Sequence, residues 1–377
     1  MTIRRLTKRT TLDLVIGAKI LANGGGGDDS KAINSISKLY DQDKACKIAD
    51  LSDFQKDDYL CIIGEVGGGI TPADAKIVEN MSSVQDEPMI AAVEHLEAFL
   101  QVDFRAFVAT ELGPGNSVVP LVVAALMENK VAIDGDCCGR SKPKISISTT
   151  TVAKIPISPF AMVSRYGDVL IVKRAIDDSR GEVLARSIAC ISGGHIGVAR
   201  CPMTVAQAEQ AVIPGTLSLA IQLGHSVREA NEAQKDPLKA IDESLSDANR
   251  VFMGRVKDFS RVEERGFTSG EIILESTEKP GHELRVFFQN EYLLSWLNEH
   301  PFITCPDSLL IVDSHTGYGL TPWEDDFTEG RAVTVFARDA PRIWHSKAGL
   351  RIFGPHAFHH SWPEYQPASS LLRNHHK

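Results

Sequence analysis

The sequence has no basic block, no long apolar run and no dense set of cysteines. Lys and Arg number 40 against 49 Asp and Glu, for a net charge of −9. Nucleic-acid binders draw most of their affinity from neutralising phosphates with a basic face, so that class is excluded. The apolar stretch from Leu12 to Leu21 is broken by Asp13, Gly17 and Lys19. It is neither a signal-peptide core nor a membrane span. Seven cysteines scattered over 377 residues do not make a disulfide scaffold, which is short and cysteine-dense. The expectation is a cytoplasmic chain with reduced thiols. No Cys-x-x-Cys or His-Glu-x-x-His pattern is present, and His356, His359, His360, His375 and His376 lack a Cys or Glu at ligand spacing. No metal, cofactor, nucleic-acid or membrane partner is expected.

What is there suggests two domains, the usual number for this length. In the first half, helical and strand patterns alternate. Residues 11–22 and 31–40 carry helical apolar spacing. Leu60 to Gly64 and Ala106 to Thr110 read as buried strands, Val118 to Asn129 as a helix, and Val131 to Ile133 as a strand. That order predicts an α/β domain with a mainly parallel sheet over 10–180. Asp168 to Ala175 is strand-like, and polar Asp177 to Gly181 places the boundary near 175–190. Pro214 to Asn231 predicts a helix, with Thr216 or Ser218 as its cap. Beyond it, four strand patterns lie at 270–275, 284–289, 309–312 and 332–337. The second domain, 181–367, is predicted to be β-rich α+β, and 368–377 a frayed, disordered tail.

Several loops carry candidate chemistry. Gly24, Gly25, Gly26 and Gly27 let backbone N–H groups approach a ligand, although the run also reads as a mobile linker. Gly67, Gly68 and Gly69 follow a strand, where open α/β sheets bind ligands. So does the loop of Glu111 and Asn116, in which Glu111 is a candidate base and Asn116 an oxyanion donor or a helix cap. Asp134-Gly135-Asp136 brackets a glycine with two acids, and Arg140 follows. Such a pair can divide acid and base roles, hold a cation, or bond nearby backbone in a turn. Cys137, beside Asp136 and Arg140, is a possible nucleophile or a buried small residue. Gln289, Asn290 and Glu291 group amides and an acid at a strand end, suited to a polar ring or to a turn.

In order and spacing, these motifs resemble the S-methyl-thiohydantoin desulfurase-like family, once a domain of unknown function associated with hydantoinases. The resemblance runs from about residue 10 to about 365. It rests on Gly24 to Gly27, Glu111 with Gly115-Asn116, Asp134 to Asp136 with Gly139-Arg140, Ile213 to Ser218, Phe288 to Glu291, and Cys305-Pro306-Asp307. It implies a cleft between an α/β domain and a β-rich domain, and a hydantoin-like substrate attacked by water. Cys137-Cys138 stands where the resemblance leads one to expect Gly-Met.

The leading expectation is a hydrolase of a small cyclic amide or S-methyl-thiohydantoin. Asp136 or Glu111 is the base, with Asp134 beside them. Asn116 and the glycine N–H groups are donors, Arg140 orients the substrate, and Gln289-Asn290 closes the cleft. The alternatives are a non-catalytic binding subunit, partner to a hydantoinase, and a metal hydrolase using Asp134, Asp136 and a histidine. A homo-oligomer is compatible with either.

Overall fold

A computed structural model describes residues 3–67, 70–264, 267–359 and 361–375. Gly68, Gly69, His360 and His376 lie outside the described residues.

The first sheet has nine strands. They are β1 (Arg4–Arg5), β2 (Lys47–Ala49), β3 (Tyr59–Gly67), β4 (Phe104–Ala109), β5 (Val131–Asp136), β6 (Phe160–Val163), β7 (Val169–Val172), β8 (His195–Thr204) and β9 (Ile213–Pro214). Their order is β1-β2-β5-β4-β3-β8-β6-β7, with β9 against β5. The four central strands, β2-β5-β4-β3, are mutually parallel. The outer pairings are antiparallel. The second sheet has seven antiparallel strands: β10 (Ala248–Glu264), β11 (Phe267–Ser276), β12 (Glu283–Gln289), β13 (Glu291–Leu297), β14 (His300–Thr304), β15 (Ser308–Asp313) and β16 (Ala332–Arg338). This is the α/β half and β-rich half that the sequence predicts.

The helices of the first half are α1 (Lys8–Leu21), α2 (Asp29–Asp41), α3 (Pro72–Val78), α4 (Pro88–Leu100), α5 (Val119–Leu126), α6 (Thr149–Val152), α7 (Asp178–Ile191), α8 (Val205–Ala208), α9 (Thr216–Glu232) and α10 (Pro237–Ser244). Two more, α11 (Lys347–Phe353) and α12 (Ala368–His375), follow the second sheet. Helix α1 forms because Leu14, Ala18 and Leu21 recur on one face and the Thr7 side chain caps its start. That face packs on α9 and α2, and each buried Leu or Ile contributes about 1.5–3 kcal/mol. Among the described residues, no helix is long and apolar enough to cross a membrane.

Three expectations change. Asp134-Gly135-Asp136 is not a turn, because β5 runs to Asp136 and pairs there with β9. Neither Thr216 nor Ser218 caps α9. Gly215 holds the cap position at φ 76°, and the Ser218 N–H donates to Asp134 Oδ1 from β5. Within the polar C-terminal segment expected to fray, residues 368–375 form α12, held where the Ala368 N–H meets Asp307 and Ser369 meets Asp339.

Candidate active site

A cleft of about 810 Å³ opens at the carboxyl ends of β3 and β4. This is where ligands enter parallel sheets. Gly25, Gly26, Gly27, Glu111, Asn116 and Lys142 line it, and the second sheet's segments add Thr268, Asn290, Glu291 and Trp323. One wall is the face of α5, with Val118, Val119, Val122 and Leu126. Lys31, Ser35, Lys38 and Gln42, at helical spacing along α2 and its end, also line the cleft.

The glycine run is a junction, not a linker. Gly26 O accepts from the Gly115 and Asn116 N–H groups, at 3.0 and 2.9 Å. A Cβ on Gly26 would stand 2.4 Å from both Gly113 Cα and Ser141 Oγ. On the other side, Gly24 O accepts from Thr321 Oγ1 and Trp323 Nε1. Asn23 binds Leu309 N–H and Ser308 Oγ. The loop thereby joins the Glu111 loop, through backbone hydrogen bonds, to the second half of the chain, through side-chain ones.

Glu111 follows β4 and is buried. Its Oε1 accepts from Asn116 Nδ2 at 2.6 Å, and its Oε2 from the Lys142 N–H at 3.1 Å. Burial pushes its pKa up, while the Lys142 charge and these two hydrogen bonds pull it back. Lys142 Nζ donates to Thr110 O, fixing the ammonium at the same strand end. Asn116 therefore orients Glu111, rather than capping a helix.

Glu291 begins β13, after Asn290 turns the chain at φ 62°. Its side chain lies against Gly25, where an added Cβ would fall 2.1 Å from Oε1. It is 3% exposed, and its Oε2 has no hydrogen-bond partner among the described residues. Burial, and then the Glu111 charge, push its pKa well up. Of the two carboxyls, Glu111 has the hydrogen bonds that favour ionisation.

The Asp-Gly-Asp segment lies outside the lining. Asp134 accepts from Ser218 N–H, Ser218 Oγ and Arg4, an occupied structural set. Asp136 has no exposed surface, and its Oδ1 accepts from the Cys138 and Gly139 N–H groups, each at 2.6 Å. Its Oδ2 lacks a partner among the described residues: Thr216 Oγ1 lies near enough to lower its pKa but not in hydrogen-bond geometry. Burial outweighs these influences and raises the pKa. Arg140 is buried and donates to the carbonyls of Ser141, Asp307 and Tyr292, so it joins the two halves behind the cleft. Cys137 is fully buried, and burial pushes its thiol up to about 12, against thiolate chemistry. Gln289 pairs within the sheet and does not line the cleft. Among the described residues, no group of three or more His, Cys, Asp or Glu could hold a metal ion.

With this geometry in view, two family profiles match the chain. One, S-Me-THD-like, N-terminal domain, covers residues 10–174. The other, S-Me-THD-like, C-terminal domain, covers residues 176–368. The chain belongs to the S-Me-THD-like family. It is also similar to the crystal structure of a protein from Chromobacterium violaceum, with 22% identity and a TM-score of 0.76 over 97% of this chain and all of that one. At that identity, the likeness shows the fold alone. No curated protein matches.

Sequence reasoning missed Lys142. It has neither glycine neighbours nor periodicity, and only the return of the chain after β5 brings it beside Glu111.

Proposed function

We propose that this S-Me-THD-like chain hydrolyses an S-methylated thiohydantoin or a related small cyclic amide. The observation that carries the reading is Glu111, a buried carboxyl at a strand end, oriented by Asn116 and facing the Lys142 charge in an open cleft. A carboxyl with a raised pKa is the stronger base. Glu111 takes a proton from water, and the oxygen adds to the ring carbon bearing sulfur. The C=N electron pair moves to nitrogen, and the proton follows from Glu111. The Lys142 ammonium offsets the negative charge as it develops.

Glu111→Gln and Asp136→Asn, assayed for release of methanethiol, test the assignment. The first variant is expected to lose about a hundredfold or more in kcat. The second is expected to stay within a few-fold, as Asp136 is enclosed by its own backbone contacts. The reverse pattern moves the base to Asp136. A ligand-induced rise in melting temperature with no turnover by the wild type replaces the enzyme reading with a binding subunit.

A further inference from the structure

Glu291 is a buried carboxyl with an idle oxygen, supplied by the second sheet to a cleft whose base sits on the first. Most buried carboxyl oxygens in this chain are engaged: Glu111, Asp134 and Asp307 each accept at both oxygens. A buried polar atom left without a hydrogen bond costs the fold stability. The contact with Gly25 fixes the side chain, since any larger residue there would displace it. Among the described residues, none bonds Oε2. Glu111 lies close enough for its charge to raise the Glu291 pKa.

We infer that Glu291 is the general acid that protonates the departing sulfur, opposite Glu111 as base. This rests on the desulfurising reading given above. After water has added, the ring carbon carries a hydroxyl, the S-methyl group and a protonated ring nitrogen. Glu111 takes the hydroxyl proton and C=O forms. The C–S bond breaks, its electron pair leaves with sulfur, and sulfur takes the Glu291 proton to give methanethiol. The proton now on Glu111 passes to Glu291 and restores both groups. One water enters and one thiol leaves, with no oxidant or reductant. Methanethiolate is a more basic, slower leaving group than an arylthiolate, and a positioned acid contributes typically 10²–10⁴-fold to a step that protonates its leaving atom. Two carboxyls whose surroundings separate their proton affinities divide the two roles.

The test uses two thiohydantoins that differ only in the sulfur substituent, methyl or para-nitrophenyl. Para-nitrothiophenolate leaves without a proton. Glu291→Gln is expected to lose about a hundredfold or more in kcat with the S-methyl substrate. It should lose only a few-fold with the para-nitrophenyl one, and the alkaline limb of its pH profile should disappear. Glu291→Asp, which keeps an acidic proton, should recover part of the S-methyl activity. Equal loss on both substrates by a variant that melts like the wild type makes Glu291 structural and overturns the inference alone. If the wild type releases thiol from neither substrate, the desulfurase reading and this inference fall together.

Discussion

At Gly26 the backbone takes φ +86°, and two other chain segments close the space where a side chain would stand. Gly281 has a similar φ of +80° with nothing within 4 Å of an added Cβ. The pair separates conformational strain from steric conflict. Gly281→Ala should cost about 1–2 kcal/mol, the left-handed penalty alone. Gly26→Ala adds about 1–3 kcal/mol of overpacking, and it pushes the Glu111 loop, so activity should fall with stability. Urea denaturation of both variants measures the difference; equal losses would remove the junction role from the glycine loop. The same residues show what the sequence disclosed of the site. The place of Glu111 and Asn116 in the cleft lining was legible, because a carboxylate and an amide just past a buried strand face a sheet's ligand end. Asp136 and Asp134 stand outside the cleft lining, because an acid that bonds its own backbone, or the first turn of a distant helix, has the same sequence signature as one that lines a cleft.

Elements that bury one face were legible for a related reason. The helical spacing in α1, α2 and α5 and the apolar runs of β3, β4 and β5 follow from one-sided or complete burial. Strand β10 was not legible. Beyond Val256 it carries Lys257, Asp258, Arg261 and Glu263 on an exposed arm, so no core imprints a period on it. The face of α5 towards the cleft yields a prediction about specificity. Val119 and Val122 are only half-buried and form an apolar wall beside Glu111. A substrate with an isobutyl group on its ring should therefore react faster than the unsubstituted ring, by about tenfold for some 1.4 kcal/mol of apolar contact. Changing both residues to Thr keeps the shape and adds hydroxyls. That double variant should erase most of the preference while leaving kcat/KM for the unsubstituted ring unchanged. A wild type indifferent to the substituent would show that substrate does not reach α5.

Across the whole molecule, the halves are joined by buried polar groups rather than by apolar surface alone. Arg140 reaches from the first sheet's loop to the carbonyls of Tyr292 and Asp307. The Asp307 side chain accepts from the Ala340 and Ala368 N–H groups and from Tyr365 Oη, tying β16 and α12 to the start of β15. Burial pushes the Asp307 pKa up to about 6, against the pull of those hydrogen bonds. The folded chain therefore holds a proton that the unfolded chain releases near its ordinary value of 3.8. Between the two values the folded state binds more protons, so this group's contribution to stability falls as pH rises. It is fully present below pH about 4 and gone above about 6, a change of roughly 3 kcal/mol. Asp313 acts outside that window. Against its partial burial, the hydrogen bond from Arg331 holds its carboxyl low, and its stabilisation is lost only as pH falls below about 4. The carboxyls of Glu111, Asp136 and Glu291 shift in the same direction as Asp307, so the wild-type slope alone does not isolate one group. The difference between wild type and Asp307→Asn does. The variant cannot titrate there, so its stability in urea should fall less than that of the wild type between pH 4.5 and 7.5, and parallel slopes would show that Asp307 is already ionised throughout the window.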